Sequence, residues 1–185
     1  MNILNNDKLT LHYLVQFFQP IDNWIDDLIN QYNAQAKPVS NFSFSRLGSY
    51  YPANVLDSTK VVVVNKVPAV PLASFGLNQF KDFENLDAAG ITYKNLLFID
   101  SRYANDESVF FHELVHVLQW QYLGAHKFIL LYGLGLTNYG YRESPLEEIA
   151  YRAQNVFDTN KQPFDVYQSI KGDLEKLDQY VLSLL

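Results

Sequence analysis

The chain has 185 residues, 48% of them hydrophobic and 18% charged, which excludes a disordered polymer and suits one domain, residues 1–185, with a proper core. The formal net charge is −6 and no Lys/Arg cluster offsets it, which argues against a nucleic-acid groove built on basic residues. There is no cysteine, so disulfides, thiolate metal sites and cysteine nucleophiles are excluded. From Met1 to Asp7 no basic segment precedes an apolar run, so the expectation is a cytoplasmic protein, or one exported without a conventional signal peptide.

Residues 8–18 and 21–33 read as two helices broken at Pro20. In the second, Ile21, Trp24, Ile25, Leu28 and Ile29 recur at the helical period. Residues 38–58 are mixed, punctuated by Gly48 and Pro52. Val61 to Val64 reads as a strand, buried on both faces or paired centrally. Pro68 and Pro71 then interrupt the chain, and Leu72 to Phe83 is a short helix or a loop. Ile91-Thr92-Tyr93 and Leu96 to Ile99 read as a β-hairpin around Lys94-Asn95, although no Gly follows that Asn.

The next segment, Phe111-His112-Glu113-Leu114-Val115-His116-Val117-Leu118-Gln119, contains His-Glu-x-x-His inside a helical pattern. Asn105 to Ser108 supplies candidate caps and early acidic residues, and Gly124 supplies a stop. Phe110, Leu114, Val117 and Gln121 form the back of the helix. Residues four apart share a helix face, so His112 and His116 can offer two imidazoles to one metal ion. Glu113 is turned about 100° from His112 and can act on a water without being a ligand. Two neutral nitrogens, an open position and an adjacent base are what a zinc hydrolase needs.

A catalytic zinc site usually has a third protein ligand. His126 follows just past Gly124, but no Gly-x-x-His spacing supports it. Phe128 to Leu136 is the most apolar stretch, interrupted by Gly133 and Gly135. It is too short for a membrane span and suits packing over the motif helix. A further helix then starts with Ser144 at the cap and Pro145 at its first position, so that Glu147 or Glu148 projects from its first turn. Ser144 and Glu147 also have capping-box spacing, which would leave Glu148 as the ligand. After Pro163 a last helix runs from about Phe164 toward Leu182, with Val166, Ile170, Leu174, Leu177 and Val181 as its stripe. The fold class expected is α+β, a small mixed β-sheet packed on the motif helix with flanking helices.

Glu147-x-x-Ala150 resembles the third-ligand helix of the Glu-zincins, and that resemblance favours Glu147 over Glu148 as the ligand. Those families often place Asp directly after the Ala to orient a histidine. Tyr151 stands there in this chain, which leaves Asp100, Asp106 or Glu143 as substitutes. More widely, residues 89–155 resemble small bacterial zincin-like metallopeptidases of the kind found near contractile injection systems. The matching stretches are Ala89 to Tyr93 with Leu96 to Ile99, His112 to Gln119, Gly140-Tyr141, and Ser144 to Glu147 with Ala150-Tyr151.

The resemblance implies a zincin-like fold, a Zn2+ cofactor on His112, His116 and Glu147, Glu113 as catalytic base, and a peptide or protein substrate laid along a sheet edge. Tyr139, Tyr141 and His126 lie between the ligand helices and are candidates to stabilise an oxyanion. Two other classes stand beside a peptidase. One is a catalytically inactive zincin-fold binding or structural module of a bacterial or phage-like assembly, against which the intact Glu113 counts. The other is a metal hydrolase acting on a non-peptide carbonyl.

Overall fold

Among the described residues four strands, β1 (Lys37–Pro38), β2 (Lys60–Val64), β3 (Gly90–Tyr93) and β4 (Leu96–Asp100), form one mixed sheet in the order β1-β2-β4-β3. The coordinates are a computed structural model that describes residues 3–160 and 162–185; Met1 and Asn2, part of the stretch read for a leader, and Lys161 lie outside them. β2 runs parallel to β4 with Val61 opposite Leu97 and Val62 opposite Phe98, and β3 pairs antiparallel with β4. The valine run is therefore a central strand, as its composition predicts. Its burial is partial, because Val63 is 42% exposed while Val61 and Val62 are buried.

Among the described residues seven helices surround this sheet: α1 (Ile3–Val15), α2 (Phe18–Tyr32), α3 (Ala53–Ser58), α4 (Lys81–Glu84), α5 (Glu107–Tyr139), α6 (Pro145–Thr159) and α7 (Val166–Leu184). Strand alternation sorts the core into two clusters. Val62, Leu96 and Phe98 bury with Ile21 and Ile25 of α2. Val61, Leu97 and Ile99 bury with Leu114, Val115 and Leu118 of α5. Covered from both sides, β4 is buried at every position. The architecture is α+β, and no helix among the described residues is long and apolar enough to cross a membrane.

The helix break expected at Pro20 lies earlier. α1 ends at Val15, the turn closes through Gln16 and Phe17, and Pro20 sits inside the first turn of α2. A proline there loses no intrahelical bond, because the first amides of a helix have no partner within it. The segment 72–83 resolves into two short 3-10 turns, Leu72–Phe75 and Asn78–Phe80, which lead into α4. The hairpin forms without Gly because Lys94 adopts φ 56°. Its ammonium pairs with Asp22 and Asp26 of α2, which ties the turn to that helix.

The motif helix starts where the caps predict. The Asp106 carboxylate accepts hydrogen bonds from the amides of Ser108 and Val109. Gly124, at φ 71° and ψ 163°, breaks the helical path, so α5 is two arms joined by a kink. The arms fold toward each other: the ring of Phe128, on the second arm, stacks on Trp120 of the first at 3.9 Å. α7 buries Val166, Ile170, Leu174 and Val181 of the stripe read from its period and leaves Leu177 half-buried against the core.

Candidate metal centre

The first arm of α5 presents His112, Glu113 and His116 from a buried stretch, with Phe110, Leu114 and Val117 behind them fully covered. Gln121, read as part of that back, is exposed instead. Gly135 on the second arm lets α6 come close, since a Cβ there would lie 2.8 Å from the Ser144 Cβ. Ser144 occupies the cap position of α6, but its hydroxyl makes no capping bond. The capping box is absent, and Glu147 is left to turn inward.

Glu147 reaches both histidines. Its Oε2 lies 3.3 Å from Nε2 of His112, and its Oε1 lies 3.4 Å from Nε2 of His116. The two Nε2 atoms are 3.2 Å apart. The Tyr132 hydroxyl donates to Glu147 Oε1 at 2.7 Å, which fixes the carboxylate from the second arm. Glu148 is exposed. The structure thus brings His112, His116 and Glu147 together and leaves Glu148 outside.

The hydrogen bonds beyond these three residues decide what the imidazoles offer. The Gln119 amide nitrogen donates to the Leu146 carbonyl at 2.9 Å, so its oxygen must be the atom 2.8 Å from His116 Nδ1. The Gln154 amide nitrogen donates to the Ser108 carbonyl and hydroxyl, so its oxygen is the atom 3.0 Å from His112 Nδ1. An amide oxygen only accepts, so both Nδ1 atoms carry a proton, and Nε2 is the nitrogen that each ring turns into the site. Two Nε2 atoms and a carboxylate facing one another at 3.2–3.4 Å call for positive charge between them, supplied by a proton or by a metal ion.

A metal ion fits that requirement in size as well as in sign. For tetrahedral zinc with ligands at about 2.0–2.1 Å, neighbouring ligand atoms stand about 3.3–3.4 Å apart. The two Nε2 atoms stand 3.2 Å apart, close to such an edge, and the carboxylate brings a different oxygen to each ring, Oε2 to His112 at 3.3 Å and Oε1 to His116 at 3.4 Å. Glu147 Oε2, although buried, has no hydrogen-bond partner, as a ligand oxygen awaiting a cation would not. The charges agree. Burial opposes the charge of Glu147, yet His116 and His112 hold its carboxyl well below the usual range. Burial likewise opposes a charged His116, yet Glu147 and Glu113 push its pKa up to about 9. These residues can hold a metal ion.

Glu113 faces the same cleft without joining the triangle. Its Oε2 accepts from the Thr92 hydroxyl of β3 at 2.7 Å. A Cβ on Gly90 would lie 2.7 Å from its Oε1, so only glycine at the start of β3 leaves room for this side chain. Burial raises its pKa, against the opposing pull of His116, His112 and the Thr92 hydroxyl.

Of the three oxyanion candidates, Tyr141 alone lines the cleft that holds Glu113, His116 and Glu147. Tyr139 is 56% exposed, and His126 packs edge-on against Phe18 of α2. None of the expected orienting carboxylates reaches a histidine: Asp106 caps α5, Asp100 pairs with Arg102, and Glu143 is exposed. Glutamines take that place. Gln119 stands one turn from His116, and Gln154 shares the inner face of α6 with Glu147 and with Tyr151, whose ring packs on His112 at 4.5 Å. Both spacings were present in the sequence, but an amide is a weaker signal than an acid.

Compared with known protein families, curated proteins and solved structures, the chain matches none. What the site can do therefore follows from its own atoms.

Proposed function

We propose that this protein is a zinc-dependent peptidase of the zincin kind, with His112, His116 and Glu147 as ligands and Glu113 as the catalytic base. The observation that carries the reading is the buried cluster of two Nε2 atoms 3.2 Å apart and a carboxylate that brings one oxygen to each of them, at 3.3 and 3.4 Å. Zinc held there would polarise a scissile carbonyl and bring the pKa of a water toward neutrality.

The rest of the work belongs to the chain. Glu113 takes a proton from the attacking water and delivers it to the leaving amine. The Thr92 hydroxyl keeps its carboxylate aimed, and the glycine at position 90 keeps its path clear. Tyr141 donates to the oxygen that gains charge. Burial and the nearby Glu147 hold its pKa far above neutrality, so the hydroxyl keeps its proton. Gln119 and Gln154 keep both Nε2 atoms turned into the site. The zincin fold goes with this chemistry: a mixed sheet beside the motif helix, with β3 as its edge strand next to Glu113.

The test is cleavage of a peptide library by the zinc-loaded protein, read by mass spectrometry. Wild-type protein should cut, and both chelation and Glu113→Gln should stop it. Zinc binding without any cleavage would instead make the protein a binding module.

A further inference from the structure

The cleft beside the triangle continues well past it. Counting its open mouth it encloses about 1060 Å³, and it runs from Glu113, His116 and Glu147 to the side chains of Leu14, Ile21 and Ile25 on α1 and α2. Thr92, Glu113, His116, Tyr132, Tyr141 and Glu147 line its metal end, and the other polar groups of its lining are spent within the fold, the Tyr93 hydroxyl donating to the Pro68 carbonyl and the Trp120 indole to the Thr92 carbonyl. Beyond them the walls are aliphatic and aromatic, and among the described residues no lysine, arginine or aspartate lines the cleft. Gly133 widens the far end, since a Cβ there would press on Leu14 at 3.2 Å. Leu86, 38% exposed, and the half-buried Ala69 and Ala88 stand at its mouth.

We propose that this cleft is a selectivity pocket for a large uncharged side chain, such as phenylalanine or leucine, next to the bond presented to the metal centre, with α1 and α2 as its far wall. The proposal rests on the peptidase reading for the bond and on the cleft alone for the side chain. Burying a large apolar side chain there takes its surface out of water and favours binding. A lysine or glutamate side chain would leave water for a wall that offers it no partner, and is rejected. The N-terminal helix pair, outside the stretch that resembles a peptidase, thereby acquires a role in choosing substrate. The pocket also explains why α1 and α2 pack against the second arm of α5 and the loop 67–72 without closing the space between them.

The experiment reads binding, not turnover. Metal-free and zinc-loaded proteins are titrated with N-acetyl-phenylalaninamide, N-acetyl-leucinamide, N-acetyl-lysinamide and N-acetyl-glutamic acid amide, and followed by 1H–15N chemical-shift mapping. The two apolar probes should shift amides around Leu14, Ile25 and Val70 in a saturable way, and the charged probes should not. Ala88→Phe and Ala69→Phe, at the half-exposed mouth, should each weaken apolar binding at least tenfold while zinc uptake stays at the wild-type level. Two variants are used so that a folding defect in one leaves the other decisive. Equal binding of charged and apolar probes, shifts mapping elsewhere, or unchanged binding in a folded plug variant would overturn the proposal. Selective apolar binding in a protein that takes up no zinc would support the pocket and defeat only the peptidase reading.

Discussion

The Nδ1 atom of His116 lies 2.8 Å from the side-chain oxygen of Gln119, one turn along the same helix. Gln119 is fully buried and its amide nitrogen is committed to the Leu146 carbonyl at the start of α6. One side chain thus sets the tautomer of a ligand on α5 and ties that helix to the one that carries Glu147.

Gln119→Ala is expected to weaken zinc affinity about 10–100-fold, the usual loss when the partner of a ligating histidine is removed. Gln154→Ala should weaken it less, because Gln154 is only half buried and water can replace it. Competition with a chromophoric chelator measures both. Unchanged affinity in the two variants would mean the glutamines do not orient the histidines.

Glu113→Gln should keep zinc and lose about 10²–10⁴ in rate, the range for a general base. Gly90→Ala should approach the same loss without touching a ligand, since its Cβ would fall 2.7–2.9 Å from three atoms of Glu113. Zinc content and peptide hydrolysis are compared side by side. Full activity in Gly90→Ala would show that Glu113 does not work from the position seen here.

Glu147→Ala should abolish tight zinc binding and also strand the Tyr132 hydroxyl that donates to it. Glu148→Ala, on the exposed side of α6, should bind zinc as the wild type does. Isothermal titration of the two variants decides the matter, and the reverse order would put the register of α6 out by one residue.

Arg102 gives a pH signature away from the centre. Its hydrogen bonds hold the Asp87 and Asp100 carboxyls below their ordinary range. A carboxyl whose pKa is lowered on folding contributes stability above its unfolded value, about 3.9, and loses it as pH falls toward the folded one. Arg102→Ala should therefore be less stable than wild type at pH 7, with the gap shrinking in acid. Urea unfolding at pH 7, 4 and 3 measures the gap; a gap that widens in acid contradicts the assignment.

Periodicity made several elements legible: the stripes of α2 and α7, the valine strand, and a motif helix begun by Asp106 and ended by Gly124. The pairing of β2 with β4 was not legible, because nothing local marks which strands meet in parallel. The three residues of the triangle followed from spacing and resemblance. What was missed depends on tertiary approach. The sequence offers acids to orient the histidines, yet Asp106 and Asp100 are taken by a helix cap and an arginine, and the distances leave only amides within reach. The capping box at Ser144 failed for a similar reason. Gly135 draws the start of α6 against α5, and Glu147 finds two imidazoles where the local pattern offered it one backbone amide.

The most direct test of the metal centre is zinc K-edge X-ray absorption on protein loaded with one equivalent of zinc. The expected spectrum shows two imidazoles and oxygen ligands in a four-coordinate shell at about 2.0–2.1 Å, with imidazole scattering halved in His112→Ala and in His116→Ala. A protein that takes up no stoichiometric zinc, or a shell of oxygens without imidazole, would contradict the account.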